Sequence, residues 1–489
     1  MTSLSVLVPV FNEEHLVSTS LERLLVLETS PLLDRVQVIV VDDCSRDATP
    51  DVLRRFEAAR AQAPRGKIEW LFLRHEKNGG KGRAIQTALA RADCEITVIH
   101  DADLEYHPKD LLQIVKVFEE EGADAVFGSR FAGGASRRVL MFRHELGNRL
   151  LTFLTNLVTN LNLTDMETCY KAVRTGLLKS IPILSNDFRL EPELTIKLGK
   201  RGARLFEVPI SYSGRTYQEG KKINWRDGFK ALWAILRFAL SDKIFVPDAY
   251  GSQILARISR APRFSAWMAE LIRPLCGSRV LEIGSGTGGL TRHLIPRSRY
   301  VASDVNPLYL HTLEALSTDR PYLSVGYCNV GDLATFPKVD GGYDTVVCLN
   351  VIEHLEDDGA ALTNIRSVLV PGGRALVLVP QGEWNRGTLD DVLGHKRRYS
   401  VAGLRAVAER SGFEVKEVRA FNRFGTLAWF LNGKILRRRS FGLFQVLTLN
   451  LIVPVLRVVD RWLPFPALSL MAVLEAKPGS ALAGGNKTG

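Results

Sequence analysis

The sequence predicts two α/β domains in tandem, each built on a mostly parallel sheet. At 489 residues the chain is long enough for two domains of ordinary size, and 46% hydrophobic with 24% charged residues is a globular composition. Short apolar, β-branched runs alternate with segments whose apolar residues recur at helical spacing, as strands and amphipathic helices do. This alternation occurs twice, and each series opens with its own loop of acids or glycines at a strand end, which marks two domains rather than one repeated unit.

The first series places strands at Leu4 to Phe11, Val36 to Val41, Ile68 to Leu73, Ile96 to His100 and Ala123 to Gly128. Between them, Leu111, Leu112, Val115 and Phe118 are spaced for one face of a helix. Helical pattern follows at Leu146 to Leu161 and Phe229 to Leu240, with a glycine-rich charged loop at Gly214 to Lys222. The second series places strands at Arg279 to Ile283, Tyr300 to Ser303, Tyr343 to Leu349, Ala375 to Val379 and Ser469 to Ala476. The expected domains are residues 1–247 and 248–478, with a small polar tail at 479–489 expected to be disordered.

A net charge of +11 points to anionic partners. The basic clusters Lys221-Lys222, Lys396 to Arg398 and Arg437 to Arg439 are short and separated, with no basic stripe interleaved with aromatics. Nucleic acid therefore ranks below phosphate ligands and a membrane surface. The six cysteines are scattered with no C-x-x-C pair, which suits a reducing compartment, and Leu4 to Val10 enters strand pattern directly, so a cytoplasmic location is expected. The apolar segment Phe441 to Leu456 falls short of the roughly 20 residues that span a bilayer. Flanked by arginines, it is either an interfacial helix, giving peripheral contact at the inner face of a membrane, or a core helix.

The strand at Ile96 runs out into Asp101 and Asp103, two acids one residue apart at the carboxyl edge where ligands of parallel sheets bind. Alternation would put both carboxylates on one side, where a hard divalent ion shared with a substrate diphosphate resolves their repulsion. Val8 to Glu14 after the first strand and Val40 to Asp47 after the second supply acceptors suited to ribose and base. With these come Asn78-Gly79-Gly80-Lys81-Gly82-Arg83, Gly128-Ser129-Arg130-Phe131, Thr168-Cys169-Tyr170-Lys171, Glu191-Pro192-Glu193 and Val208-Pro209-Ile210. Over residues 4–240 the ordered set resembles the family 2 glycosyltransferases of GT-A fold, most of all the dolichyl-phosphate mannose synthase branch, which moves a sugar from a nucleotide donor to a polyprenyl phosphate.

The resemblance implies that Pro9, Phe11, Glu13, Val41 and Asp43 hold the nucleoside of a nucleotide-diphospho-sugar. It implies Asp101, Ala102 and Asp103 at the diphosphate, Asp101, Asp103 and Glu105 on a Mg2+ or Mn2+ ion, and Arg130, Arg215 and Lys222 on phosphates of donor or acceptor. Cys44 stands where the family usually has Gly, and Glu105 where the mannose synthases usually have Gln, which leaves donor identity open. An inverting transfer to a polyprenyl phosphate needs no strong base; a saccharide hydroxyl would need Glu191 or Glu193 to take its proton.

Val280 to Leu290 reads as strand, glycine loop and helix start. It satisfies G-x-G-x-x-G through Gly284, Gly286 and Gly289, a weak dinucleotide signal on its own. With Glu282, Ser285, Gly288 and Asp304, and with Asn350 to Leu355 and Leu369 to Gly373 further on, residues 265–477 resemble the Rossmann-like class I S-adenosylmethionine methyltransferases. The resemblance implies Glu282, Gly284, Ser285, Gly286, Gly288, Asp304 and Asn350 at the cofactor. His395, with His354 second, is the candidate base for a hydroxyl acceptor, while Glu353 is expected to line the cofactor or shape its loop. Adjacency suggests one pathway in which a transferred sugar or lipid-linked intermediate is methylated. The alternatives are two units acting on unrelated intermediates, or a saccharide transferase carrying a non-catalytic S-adenosylmethionine- or NAD-binding module.

Overall fold

A computed structural model describes residues 2–64, 66–134, 138, 142–214, 225–241, 243–244, 246, 261–318, 320–438 and 442–477. The chain folds as two compact units, Met1–Val246 and Pro247–Gly489. Both are α/β, with a seven-stranded mixed sheet in each.

The first sheet contains β1 (Thr2–Val10), β2 (Leu33–Asp42), β3 (Ile68–Arg74), β4 (Ile96–Ile99), β5 (Ala125–Ser129), β6 (Lys171–Arg174) and β7 (Leu205–Pro209), in the order β3-β2-β1-β4-β6-β5-β7. Val6, Leu7, Val8, Val38, Ile39, Val40, Val98 and Ile99 are buried, because the central strands are covered on both faces. Burying each such side chain contributes about 1.5–3 kcal/mol. The helix Asp110–Glu120 buries Leu111, Ile114, Val115 and Phe118 and leaves Leu112 only partly covered, the single apolar face its spacing predicts. Register pairs Val10 with Asp42 and Leu7 with Ile99, so the residues that follow β1, β2 and β4 leave the sheet at one carboxyl edge.

Two strands of this sheet escaped the sequence reading. β6 is antiparallel to both β4 and β5, and it is short, with Lys171 and Arg174 at its ends. The central position of Lys171 rests on a buried carboxylate partner, a tertiary fact invisible to local pattern. β7 is only half buried and carries no continuous apolar run.

The second sheet contains β8 (Arg279–Ile283), β9 (Arg299–Asp304), β10 (Leu323–Tyr327), β11 (Tyr343–Leu349), β12 (Leu369–Pro380), β13 (Phe413–Phe421) and β14 (Ser469–Ala476). Its order is β10-β9-β8-β11-β12-β14-β13, with β14 antiparallel to β12 and β13. The dinucleotide-binding order 3-2-1-4-5-6 has no strand inserted between the fifth and sixth. β14 occupies that place here, which sets this sheet apart from an NAD-type unit. β10 and β13 were missed because both are edge strands with exposed or charged faces.

Among the described residues no helix is long and apolar enough to cross a membrane. The helix Leu443–Val459, the segment expected to be either interfacial or core, buries Val446, Val453 and Leu456 in the second unit and leaves Leu447, Leu451, Val455 and Val458 exposed. The helices Phe142–Thr159 and Trp225–Leu240 pack against one another through Leu151, Leu154, Ala234, Ile235 and Phe238. They leave Phe142, Leu146, Leu150, Phe153 and Leu157 exposed on one helix, and Phe229, Trp233, Leu236 and Leu240 on the other.

Candidate functional sites

At the carboxyl edge of the first sheet, Pro9 lies beside Val41 in register, with Phe11 and Glu13 in the partly buried turn after β1. That turn is tied to the loop after β2. Asn12 N donates to Ser45 Oγ at 2.9 Å, Arg46 N donates to Asn12 Oδ1 at 2.9 Å, and Glu13 N donates to Thr49 Oγ1 at 2.8 Å. Cys44 adopts φ +61, the left-handed region where glycine is at ease, and that is the position where the family usually has Gly. Asp43 is buried, and its carboxylate accepts from Gly79 N at 2.8 Å and Gly80 N at 2.6 Å and lies 2.7 Å from His75 Nδ1. In this structure it anchors the Asn78–Gly82 loop.

That loop delivers Lys81 to the acid pair. Gly82 N donates to Asn186 O at 2.8 Å, and a Cβ on Gly82 would meet the Ser185 carbonyl oxygen, so only glycine lets the backbones come this close. Lys81 Nζ donates to Asp101 Oδ2 at 2.9 Å and to Glu191 Oε1 at 3.2 Å, and Lys171 Nζ donates to Glu191 Oε2 at 2.7 Å. Burial opposes the charge on Lys81, but Asp101 and Glu191 hold it protonated well above the usual lysine range. Burial likewise works against ionised Asp101, and Lys81 overrides it, keeping that carboxyl below its ordinary value. The charge repulsion expected between Asp101 and Asp103 is thus relieved in part by an internal ammonium, which the sequence reading had quoted only as one letter of a motif.

β4 ends at Ile99, and the segment beyond it turns, with Leu104 at φ +64, so strand alternation does not carry through to Asp103. Ala102 is buried. Asp103 is partly buried and accepts from Glu105 N at 3.2 Å. Glu105 Oε2 accepts from Tyr212 Oη at 3.0 Å. Among the described residues, the oxygens of Asp101, Asp103 and Glu105 do not form a cluster within 4.8 Å. They are not a preformed three-carboxylate cage. Mg2+ and Mn2+ are commonly held by one or two carboxylates with substrate phosphates completing the shell, and Asp103 beside a lysine-bound Asp101 fits that pattern.

Arg130 donates through Nε and Nη2 to the buried Asp165, at 2.6 and 2.8 Å, and its guanidinium lies 5.2 Å from the Tyr212 ring centre. Tyr212 therefore joins Arg130 to Glu105. Arg215 and Lys222 lie outside the described residues. Glu191 is held by two lysines, and Glu193 accepts from Leu184 N at 2.8 Å, from Ser185 N at 2.7 Å and from Lys197. A different carboxyl stands out. Glu167 has a buried Oε1 with no hydrogen-bond partner, and burial, aided by Glu191, pushes it up to about 7. No sequence signal marked it.

In the second unit Glu282, the next-to-last residue of β8, is buried and accepts through Oε2 from Thr291 Oγ1 at 2.6 Å and Tyr300 Oη at 2.8 Å. Burial raises its pKa above the ordinary value. Gly284, Gly286 and Gly288 all have positive φ, and Ser285 N donates to Ser303 O at 2.9 Å. Asp304 accepts from Gly286 N at 2.9 Å and from Asn306 N at 2.9 Å, so it shapes the glycine loop from the neighbouring strand end. Asn350 follows β11 at φ +53, exposed at the same edge.

His395 and His354 come together with Glu353, their ring centres 5.0 Å apart. His395 Nδ1 lies 2.8 Å from Asp390 Oδ1. Asp390 also receives Arg398 Nε at 2.8 Å and Trp429 Nε1 at 3.0 Å, and although burial works against its charge, these partners hold its carboxyl far below the usual range. Asp390 stands five residues before His395, and nothing in its local pattern marks it. Its role behind His395 needed the helix Thr388–Leu393 to be seen folded back.

Residues 5–181 match the family model for glycosyl transferase family 2, and residues 281–375 match that for a methyltransferase domain. The chain carries one domain of each kind. The glycosyl transferase unit is 25% identical over 243 residues to the UDP-N-acetylglucosamine–dolichyl-phosphate N-acetylglucosaminyltransferase of Methanococcus voltae, covering 47% of this chain and 93% of that one. It is 26% identical over 227 residues to the undecaprenyl-phosphate 4-deoxy-4-formamido-L-arabinose transferase of Edwardsiella ictaluri, covering 44% of this chain and 62% of that one. Among solved structures, glucosyl-3-phosphoglycerate synthase of Mycobacterium tuberculosis aligns at a TM-score of 0.38 with 19% identity, covering 49% of this chain and 80% of that one. Glycosyl transferase and methyltransferase domains thus stand in the order expected, each with its loop cluster at the carboxyl edge of its own sheet.

Proposed function

We propose that the glycosyl transferase unit moves a sugar from a nucleotide-diphospho-sugar to a polyprenyl phosphate, by single displacement and with inversion. The observation that carries this reading is the state of Glu191 and Glu193. Both are buried and committed to lysines and backbone amides, so neither is open to take a proton from a sugar hydroxyl. A phosphate acceptor, already ionised near neutral pH, has no such need. The names of the two relatives, a dolichyl-phosphate and an undecaprenyl-phosphate transferase, support the same acceptor class.

In this reading the turn at Pro9, Phe11 and Glu13 with Val41 and Asp43 frames the nucleoside. Asp103, next to Asp101 and Ala102, would hold Mg2+ or Mn2+ on the donor diphosphate, with Glu105 positioned through Tyr212. A divalent ion there supplies charge stabilisation to the departing nucleoside diphosphate. One unit-charge interaction at about 4 Å and effective dielectric of about 20 is worth roughly 4 kcal/mol, about a thousandfold in rate. Arg130, Arg215 and Lys222 are proposed to add to this field at phosphate oxygens. The apolar faces of the helices Phe142–Thr159 and Trp225–Leu240 suit contact with the membrane that contains a lipid phosphate, at its cytoplasmic face.

The methyltransferase unit, from about residue 248, is proposed to bind S-adenosylmethionine over Glu282, Gly284 to Gly288, Asp304 and Asn350. It would methylate the transferred sugar or a lipid-linked intermediate of the same pathway. A second reading of the first unit, transfer to a saccharide hydroxyl, is favoured by one observation, Glu167, whose buried Oε1 has no hydrogen-bond partner and whose carboxyl is pushed up to about 7. The full-length protein with divalent metal, a panel of nucleotide sugars and polyprenyl phosphate, followed by mass spectrometry, separates the two. Glycosylated polyprenyl phosphate is the expected product; turnover with saccharide acceptors alone overturns the lipid-phosphate reading.

A further inference from the structure

Three side chains at the carboxyl edge of the second sheet bring ligand atoms within 4.8 Å of one another: Glu353, His354 and His395. The first two lie on the loop after β11, the third just past the helix Thr388–Leu393. Lys396 N donates to Glu353 O at 2.8 Å and joins the two segments. Because His395 Nδ1 is taken by Asp390, the ring turns Nε2 into the cluster, 3.9 Å from Glu353 Oε1. Glu353 is fully buried, and neither of its carboxylate oxygens has a hydrogen-bond partner. A buried carboxyl without hydrogen-bond partners asks for an explanation, and two imidazoles gathered beside it point to a shared cation.

The donor set says which cation. Two imidazoles and one carboxylate, with one imidazole held by a carboxylate behind it, match a borderline divalent transition ion better than Mg2+ or Ca2+. Three protein ligands leave a coordination position open. Ligand atoms on a four-coordinate zinc lie about 3.3 Å apart, so small side-chain rotations close the cluster. His354 is only partly buried, which gives a path from solvent. The loop also lies against the glycine turn, since a Cβ on Gly284 would meet Val351 Cγ2 at 2.5 Å.

We propose that Glu353, His354 and His395 bind a divalent transition-metal ion whose open position takes the hydroxyl oxygen of the methyl acceptor. The role rests on the methyl-transfer reading above. On binding, the acceptor O–H proton leaves to water. In transfer an oxygen lone pair forms the O–CH3 bond while the C–S bond breaks, its electron pair staying on sulfur, which ends as a neutral thioether. His395, expected from sequence as a base, becomes a ligand.

The test uses the full-length chain without a polyhistidine tag, carrying Asp103→Asn to silence the carboxylate of the first unit. Zn2+ and Co2+ are titrated in the absence of S-adenosylmethionine, by calorimetry and visible spectroscopy, and S-adenosylmethionine binding is measured separately on metal-free protein. The expected result is one ion per chain with Co2+ d–d bands typical of nitrogen ligation, and affinity reduced about tenfold or more by His354→Ala and by Glu353→Gln. His354→Ala changes a partly exposed side chain and keeps the fold; retained S-adenosylmethionine binding certifies each variant. No binding of either ion, or binding undiminished in both variants, overturns the proposal. Absence of metal binding in the chain that keeps all three ligands, with intact S-adenosylmethionine binding, defeats this inference alone, whereas no S-adenosylmethionine binding defeats the methyl-transfer reading.

Discussion

Lys81 Nζ sits 2.9 Å from Asp101 Oδ2, and the same ammonium reaches Glu191 at 3.2 Å, so one lysine neutralises acids from two separate segments. Replacing it with methionine leaves Asp101 without its cation in a nearly closed site and Glu191 with Lys171 alone. Breaking a buried pair in this way costs about 3–5 kcal/mol. Urea unfolding of Lys81→Met should show a loss of that size, and adding Glu191→Gln should return part of it because the two residues are coupled. Additive losses would refute the coupling.

Glu167 gives the first unit a pH signature. Its carboxyl is pushed up from 4.5 to about 7 by burial and by Glu191. Between those values the folded protein keeps a proton that the unfolded chain releases, so the contribution is full below about pH 4.5, falls as pH rises, and is lost by about pH 7. Glu167→Gln removes this slope. The variant should gain stability over the parent at about pH 8 and show no gain at about pH 4, as read by denaturant midpoints.

Two glycines of the second unit should behave differently. Gly286 has φ +55 and nothing within 4 Å of an added Cβ, so Gly286→Arg should cost only the roughly 1–2 kcal/mol of a left-handed residue yet abolish S-adenosylmethionine binding by filling the ligand side. Gly284 has φ +74 with Val351 in the way, so Gly284→Ala should lose stability beyond that amount. Calorimetric titration and thermal unfolding distinguish the two.

Phe153 and Trp233 are 61% and 60% exposed. Substitutions at such positions move stability by less than about 0.5 kcal/mol. Phe153→Glu with Trp233→Glu should therefore unfold like the parent but sediment far less with anionic phospholipid vesicles. Undiminished vesicle binding would remove these two helices from the membrane-contact reading.

Much of the architecture was legible locally. The central strands β1, β2, β4, β8 and β11 are mostly apolar because both of their faces are covered, and the helix Asp110–Glu120 announces its inward face by spacing alone. Strands were missed where that logic fails: β6 is held by the buried Lys171–Glu191 ion pair, and β10 and β13 at the sheet edge are partly wet.

Sequence alone determined that there are two α/β units, which strand ends carry acids or glycines, and which families those ends resemble. Those are properties of residues close in the chain, written in period and spacing. Tertiary structure alone decided how the charges are spent: that Lys81 takes Asp101, that Asp43 anchors a loop, that Glu191 and Glu193 are locked, and that Glu353 meets His395 without a hydrogen bond. A carboxylate's chemistry depends on its solvation and its partners, and those partners arrive from segments tens of residues away that only the folded sheet brings to one edge.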